Sequence, residues 1–204
     1  VSNLYLSFLM ERLEKMREAG VLFSNGDARI TRDMNEVIQI YKPTKVVHLA
    51  AIVGDPACAL NDTFTLDVNF VATKNIIEIC VLYGIRRMIF ASSCSVYGVG
   101  QEHLTELSDL SPVSLYAQCK IQCEKVILSY SSENFSPTIL RLATLFGASY
   151  RPRFDLFVNL LTAQSIFDGQ LTVFGGKQWR PLISVHDAAR AIVLFYAFPT
   201  IINR

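Results

Sequence analysis

Two neighbouring stretches decide how this chain folds: Met88-Ile-Phe-Ala-Ser-Ser-Cys-Ser95, and Pro112-Val-Ser-Leu-Tyr-Ala-Gln-Cys-Lys120. The first is an apolar run that closes on the hydroxyls of Ser92, Ser93 and Ser95. A short apolar run bounded by turn residues fits a buried strand. The second predicts a helix over about 114–131, on which Tyr116 and Lys120 share one face. Open α/β sheets bind their ligands beyond the carboxyl ends of the strands. A hydroxyl, a phenol and an ammonium therefore converge on one crevice, and that set reads as a proton-transfer site. Tyr-x-x-x-Lys alone is weak, and a surface pair on an ordinary helix is the plain alternative. A second such spacing, Tyr41-Lys45, has Pro43 inside it and cannot share a continuous helix face.

Working outward, Leu6, Leu9, Leu13 and Met16 predict a helix over 4–19, stopped by Gly20. Val21-Leu-Phe23 reads as a short strand running into Asn25-Gly-Asp27. Asp33-x-x-Glu36 resembles a capping box for a helix that Pro43 ends. Val46–Ala51 is the next strand, and the small residues at its end allow close approach to the backbone. After the loop Gly54-Asp-Pro56, a helix over 62–83 stops at Gly84. Beyond the opening stretches, Thr138–Leu142 is a strand, 154–168 a helix closed by Gly169, and Leu171–Phe174 a short strand. Leu182–Val185 leads to Asp187, expected to cap a helix over 188–198. Alternating strands and helices place the chain in the α/β class, with a parallel sheet and right-handed crossovers.

The bulk composition agrees. At 204 residues the chain is long enough for one sizeable core, and 51% apolar against 18% charged suits strands buried on both faces. A net charge of +1 argues against nucleic-acid or membrane-surface partners. No run of eighteen apolar residues, leader or lipidation motif is visible. Five cysteines without a CxxC pair favour reduced thiols, so a cytoplasmic location is expected. Cys119 and Cys123 share a helix face, but His48, His103 and His186 lie far from them in sequence, so no metal site is expected.

Seven ordered segments resemble the extended short-chain dehydrogenase/reductase superfamily, specifically its NAD-dependent epimerase/dehydratase family acting on nucleotide sugars. They are Gly26-Asp27-x-Arg29; His48-Leu49-Ala50-Ala51; Asn69-x-x-Ala72-Thr73; Ser92-Ser93-x-x-Val96-Tyr97-Gly98; Pro112-x-Ser114-x-Tyr116-x-x-x-Lys120; Leu140-Arg141 with Phe146-Gly147; and Trp179-Arg180-Pro181 with Val185-x-Asp187-x-Ala189. The resemblance implies a Rossmann-like, doubly wound parallel sheet with NAD as cofactor and a nucleotide-diphosphate sugar as substrate. Ser93, Tyr116 and Lys120 would be the catalytic trio. Lys120 and Tyr116, with Ser92, would also contact the cofactor. Asp27 and Ala28 would bind the adenine. Leu49, Ala50 and Ala51 would line the adenosine and pyrophosphate path, with Asn69 near it. Arg180 would pair with the substrate diphosphate, and Ser93 and Thr144 would also face the substrate. For Asn69 a helix-packing amide is the alternative, and for Arg180 a solvated surface side chain.

Departures from the family pattern sharpen the reading. Its dehydratases carry two acids after the catalytic hydroxyl, and its 3,5-epimerising members a cysteine in the second of those slots; here the slots hold Cys94 and Ser95. Chemistry confined to the sugar C4 is therefore expected. Thr144 stands where the epimerases usually have asparagine. No G-x-x-G-x-x-G turn is present, and Ser2 stands where the family carries an acid for the adenosine ribose. The expectation is an interior fragment lacking about 30–35 residues, its first β-α unit and most of the next strand, and part of its C-terminal region. Such a fragment is expected to bind NAD weakly by itself. Residues 1–150 would be a partial NAD-binding Rossmann domain and 151–204 a partial substrate-binding region, with 181–198 returning to the former. The favoured function is a nucleotide-sugar 4-epimerase. The alternatives are a 4-ketoreductase or dehydratase of the same family, or an inactive shortened relative serving as a binding module. A homodimer is expected for the full-length protein, through a bundle using the apolar residues Ile76, Ile77, Cys80, Val126 and Ile127; these suit packing on their own sheet equally well.

Overall fold

The computed structural model describes residues 2–99, 103–150 and 153–197, with side chains from Met10 onward. The elements in chain order are α1 (Ser2–Glu18), α2 (Thr31–Tyr41), β1 (Lys45–His48), α3 (Asp55–Cys58), α4 (Asp62–Leu66), α5 (Ala72–Leu82), β2 (Arg87–Ser93) and α6 (Leu115–Ser129). There follow β3 (Ser136–Leu142), β4 (Thr144–Phe146), α7 (Phe157–Phe167), β5 (Leu182–Ser184) and α8 (Val185–Ala197). They divide into a sheet unit, Asn25–Ala143 with Ala191–Arg204, and a second unit, Val1–Ser24 with Thr144–Arg190.

In the sheet unit three parallel strands run in the order β1-β2-β3, with Val46 opposite Met88 and Phe90 opposite Ile139. Parallel neighbours need a crossover, and α5 and α6 supply the two. The core lies between those helices and β2. Ile77 and Cys80 of α5, Cys123 and Ile127 of α6, and Met88 and Phe90 of β2 pack together with Ile85 and Phe135. Fully burying a side chain such as Ile or Phe contributes roughly 1.5–3 kcal/mol, so this cluster dominates over helix propensity in fixing α5 and α6. It also uses Ile77, Cys80 and Ile127, all at 0% exposure, so these three are core residues and not surface.

Local chemistry sets the ends of the elements. Ser114 caps α6, its hydroxyl accepting from the Ala117 N–H, and Asn61 caps α4 by accepting from Phe64 N–H. Helix α2 ends where Lys42 turns left-handed (φ 45°) before Pro43. The predicted 62–83 helix is in fact α4, a π-turn over Asp67–Val71, and α5. Gly98 (φ +74°) sits so close to the chain's return that a Cβ there would lie 1.9 Å from the Ser111 carbonyl oxygen. Only glycine permits that approach, which delivers Pro112–Tyr116 back to the end of β2.

In the second unit, β4 pairs in parallel with β5, Thr144 opposite Leu182. Lys15 of α1 stacks 4.7 Å over the Tyr150 ring. Asn159 of α7 accepts from Gly147 N–H and donates to the Arg153 carbonyl.

Several local expectations are corrected. Val21–Phe23 and Leu171–Phe174 form no strands; both runs are exposed, and among the described residues no strand pairs with either to complete a ladder. Asp33 is not an N-cap. It sits in the first turn of α2, where its carboxylate accepts from the Asp27 N–H. At α8 the cap is Ser184 rather than Asp187: the serine hydroxyl accepts from the Asp187 N–H and donates to its carboxylate. Among the described residues no helix is long and apolar enough to cross a membrane.

Candidate active site

The candidate trio lies at the carboxyl end of β2 and in the first turns of α6. Ser93 ends β2 and caps the 3-10 turn Cys94–Tyr97, its Oγ accepting from the Ser95 N–H at 3.2 Å. Lys120 is 4% exposed, and its Nζ donates to the Ala91 carbonyl at 2.7 Å. The same Nζ lies 4.6 Å from the Phe90 ring centre and 5.5 Å from the Tyr116 ring centre. Ala91 is two residues before Ser93, so this one hydrogen bond sets α6 against the end of β2. Burial pushes the lysine pKa below its ordinary value, while nearby thiols and Glu124 push it up. Both aromatic faces favour the cation. Tyr116, Lys120 and Ser93 are thus brought to one end of the sheet, as the spacing predicts. Ser95 Oγ is buried without a hydrogen-bond partner, and a hydroxyl is no carbon base at neutral pH.

Next to the trio, the end of β1 is held by Asn69. Its side-chain oxygen accepts from Ile52 N–H at 2.8 Å and its amide donates to the Ile52 carbonyl at 2.9 Å. The amide does for Ile52 what a neighbouring strand would do. Asn69 lies in the π-turn, and its backbone carbonyl accepts from Thr73 Oγ1 at 2.7 Å and Cys123 Sγ at 3.1 Å. Asn69 is therefore a loop clamp, and Leu49, Ala50 and Ala51 follow β1 with Leu49 at 58% exposure.

His48, the last residue of β1, is 5% exposed, stacks on Phe90 and meets Thr73 Oγ1 at 2.9 Å. The threonine proton goes to the Asn69 carbonyl, so the ring Nε2 donates to Thr73. Burial, then the charge of Lys120, pushes its pKa down to about 4.

Five other candidates complete the set. Both carboxylate oxygens of Asp27 accept from the Arg29 guanidinium, and hydrogen bonds from the Arg29 side chain and backbone pull the acid's pKa down to about 2; Ala28 lies between them, half-buried. In the second unit, Thr144 N–H donates to the Pro181 carbonyl at 3.2 Å, which sets Thr144 beside the exposed Arg180 at one end of the β4-β5 pair. Ser92 is buried, and its hydroxyl donates to Glu124.

Glu124 is the residue that sequence reasoning missed. Its carboxylate takes Arg141 Nε at 3.1 Å on both oxygens and Nη2 at 2.7 Å. Arg141 in turn donates to the Tyr97 hydroxyl at 3.0 Å and the Glu106 carbonyl at 3.1 Å. The available signal was spacing: Glu124 lies four residues past Lys120 on the same face, where a charge must be paired to be buried.

The fold and this site define a Rossmann-like α/β protein with a serine-tyrosine-lysine centre. Its sequence matches the NAD dependent epimerase/dehydratase family over residues 8–203, and the chain belongs to that family. A UDP-glucose epimerase of Bacillus subtilis, itself uncharacterised, is 32% identical over 161 residues, covering 78% of this chain and 50% of that protein. The UDP-glucose 4-epimerase of Thermus thermophilus, solved with NAD, superposes with a TM-score of 0.75 at 25% identity over 86% of this chain and 60% of that one. MoeE5, solved with UDP-glucuronic acid and NAD, does so at 0.74 with 27% identity over 89% and 59%. The chain thus spans about half the length of the curated relatives it matches.

The residues present fit the family's NAD. Ala50 and Ala51 carry nothing beyond Cβ at the open end of β1, so a ligand can approach the backbone. Lys120 spends one of its three N–H donors on Ala91 and keeps a buried positive charge beside the phenol.

Proposed function

We propose that the full-length protein is an NAD-dependent nucleotide-sugar epimerase acting at C4 through a 4-keto intermediate. The observation that carries this reading is the buried Lys120 ammonium, anchored on Ala91 of β2 and set beside the Tyr116 ring. NAD, when bound, would supply the acceptor and then the donor of the hydride exchanged at the sugar carbon. Tyr116 works as the base: a free phenol ionises near ~10, and an adjacent ammonium favours the phenolate. The phenolate takes the proton of the C4 hydroxyl and gives it back after the ketone has turned over. Ser93 donates to the same oxygen and fixes its position. Lys120 has two further donors for the nicotinamide ribose hydroxyls. Asp27 and Ala28 hold the adenine, Leu49, Ala50 and Ala51 line the path between, and Asn69 acts on that path through Ile52. Ser92, its hydroxyl committed to Glu124, contributes through its backbone. Arg180 pairs with the diphosphate, for which a planar guanidinium is suited, and Thr144 lies beside it.

The relatives named for UDP-glucose and UDP-glucuronic acid make UDP-hexoses the first substrates to try. Cys94 and Ser95 support epimerisation over dehydration, because elimination needs a carboxylate where these stand. In this account 1–150 serves the cofactor and 151–204 the substrate, with 181–198 returning to the cofactor part; Lys45 Nζ donating to the Tyr196 carbonyl supports the return for the stretch after Arg190, while 181–190 lies in the second unit. The full-length protein is cytoplasmic and homodimeric in this reading. With Ile77, Cys80 and Ile127 committed to the core, the contact would use outward residues such as Val81 and Leu128.

The test is turnover of UDP-glucose and UDP-glucuronate with NAD by the full-length protein and by Tyr116→Phe. The variant should lose at least about 100-fold in kcat while keeping NAD affinity, general acid-base catalysis being worth about 10²–10⁴. Retained turnover removes Tyr116 from its role.

A further inference from the structure

Tyr116, Lys120 and Glu124 follow one another at four-residue intervals on α6, and Lys120 and Glu124 are each only 4% exposed. Opposite charges one helical turn apart in a poorly solvated interior attract strongly. Glu124 does act on Lys120, and left to itself it would be the counterion of the lysine. A lysine neutralised in that way would do little to stabilise the phenolate of Tyr116. The fold supplies Glu124 with a different cation. Arg141 comes across from β3 and grips both carboxylate oxygens, and the Ser92 hydroxyl donates as well. Arg141 cannot drift, because the Tyr97 hydroxyl and the Glu106 carbonyl hold its other face. The grip raises the arginine pKa further, so it stays charged throughout.

The other groups around Lys120 do not take over the counterion role. His48 on β1 is neutral. The thiols of Cys58 on α3 and of Cys119 and Cys123 on α6 are pushed up by burial and stay protonated near pH 7. Cys94 and Tyr97 lie on the turn after β2. Among these groups Glu124 is the one carboxylate.

We propose that Arg141 is an insulating residue: by holding the Glu124 carboxylate it leaves the charge of Lys120 acting on the Tyr116 phenol, and so sets the pH at which that phenol ionises. The inference rests on the roles given above to Tyr116 and Lys120. Arg141 touches neither substrate nor cofactor in this account and works as a positioning residue.

The experiment is a pH titration of phenolate absorbance in the full-length protein, with each protein referenced to its own Tyr116→Phe partner so that only Tyr116 is read. Arg141→Gln should move the midpoint up by about one unit, the usual effect of losing a nearby cation's influence. Glu124→Gln should move it down, because Arg141 then adds unbalanced positive charge. The double variant Glu124→Gln/Arg141→Gln should return to the parent midpoint, and Arg141→Lys should stay near it. An unshifted Arg141→Gln, or a double variant shifted as far as Arg141→Gln, overturns the proposal. If Arg141→Gln does not fold, Glu124→Gln decides: a midpoint unmoved or raised overturns it. A catalytically dead Tyr116→Phe with no midpoint shifts discards insulation alone. An active Tyr116→Phe discards the proposed function and leaves the titration result standing.

Discussion

Lys120 carries its charge where burial works against it, and three contacts make the position tenable: the Ala91 carbonyl and the faces of Phe90 and Tyr116. His48 meets the opposite demand and stays neutral, which gives a pH prediction. Its folded pKa is about 4 against an ordinary 6.5. Between these values the unfolded chain binds a proton that the folded chain refuses, so stability is lost as pH falls through this window. The loss is up to about 3 kcal/mol at 1.36 kcal/mol per unit. Denaturant midpoints of the full-length protein from pH 7 to 4 should show this slope, and His48→Gln should flatten it. An equal slope in both proteins would contradict it. The nearness of Tyr116, Lys120 and Ser93 was legible, because it needs only one helix turn and the end of the neighbouring apolar strand. Glu124 was not, since its partners Ser92 and Arg141 lie on other elements and nothing local marks the pairing. Arg29 hid a similar fact: no pattern in Gly26-Asp27-x-Arg29 says that the arginine grips the acid.

At the scale of elements, the π-turn over Asp67–Val71 matters most, because it aims Asn69 at Ile52. Asn69→Ala would leave both backbone groups of Ile52 without their partner. A cost of about 1–3 kcal/mol per unsatisfied group is expected in chemical denaturation, with weaker NAD binding by the full-length protein. Unchanged stability would show that the loop needs no clamp. In the core, Ile127→Ala should cost about 2–5 kcal/mol, since the side chain is fully buried and α6 cannot close the gap without moving Lys120. Helix and strand identities were legible from periodicity wherever an element builds the core, as with α5, β2 and α6. They failed at Val21–Phe23 and Leu171–Phe174, where the apolar pattern is right but strand formation depends on a neighbour that local sequence does not reveal. They failed also at α8, where Ser184 and not Asp187 turns the chain into the helix.

At the scale of the molecule, the sheet unit holds Ser93, Tyr116 and Lys120, and the β4-β5 pair of the second unit holds Thr144, with Arg180 just before β5. The parallel α/β class was readable from alternation and composition. The split of the chain between two units, with 1–24 joining 144–190, was not, because it depends on contacts between segments far apart in sequence. The central claim is that hydride leaves and returns at one carbon while Tyr116 moves the proton. The most direct measurement uses UDP-glucose carrying deuterium at C4, incubated with NAD and the full-length protein in ordinary water. The account predicts a C4 epimer that retains the deuterium at C4. Loss of the label to solvent, or an unsaturated elimination product in place of the epimer, would contradict it.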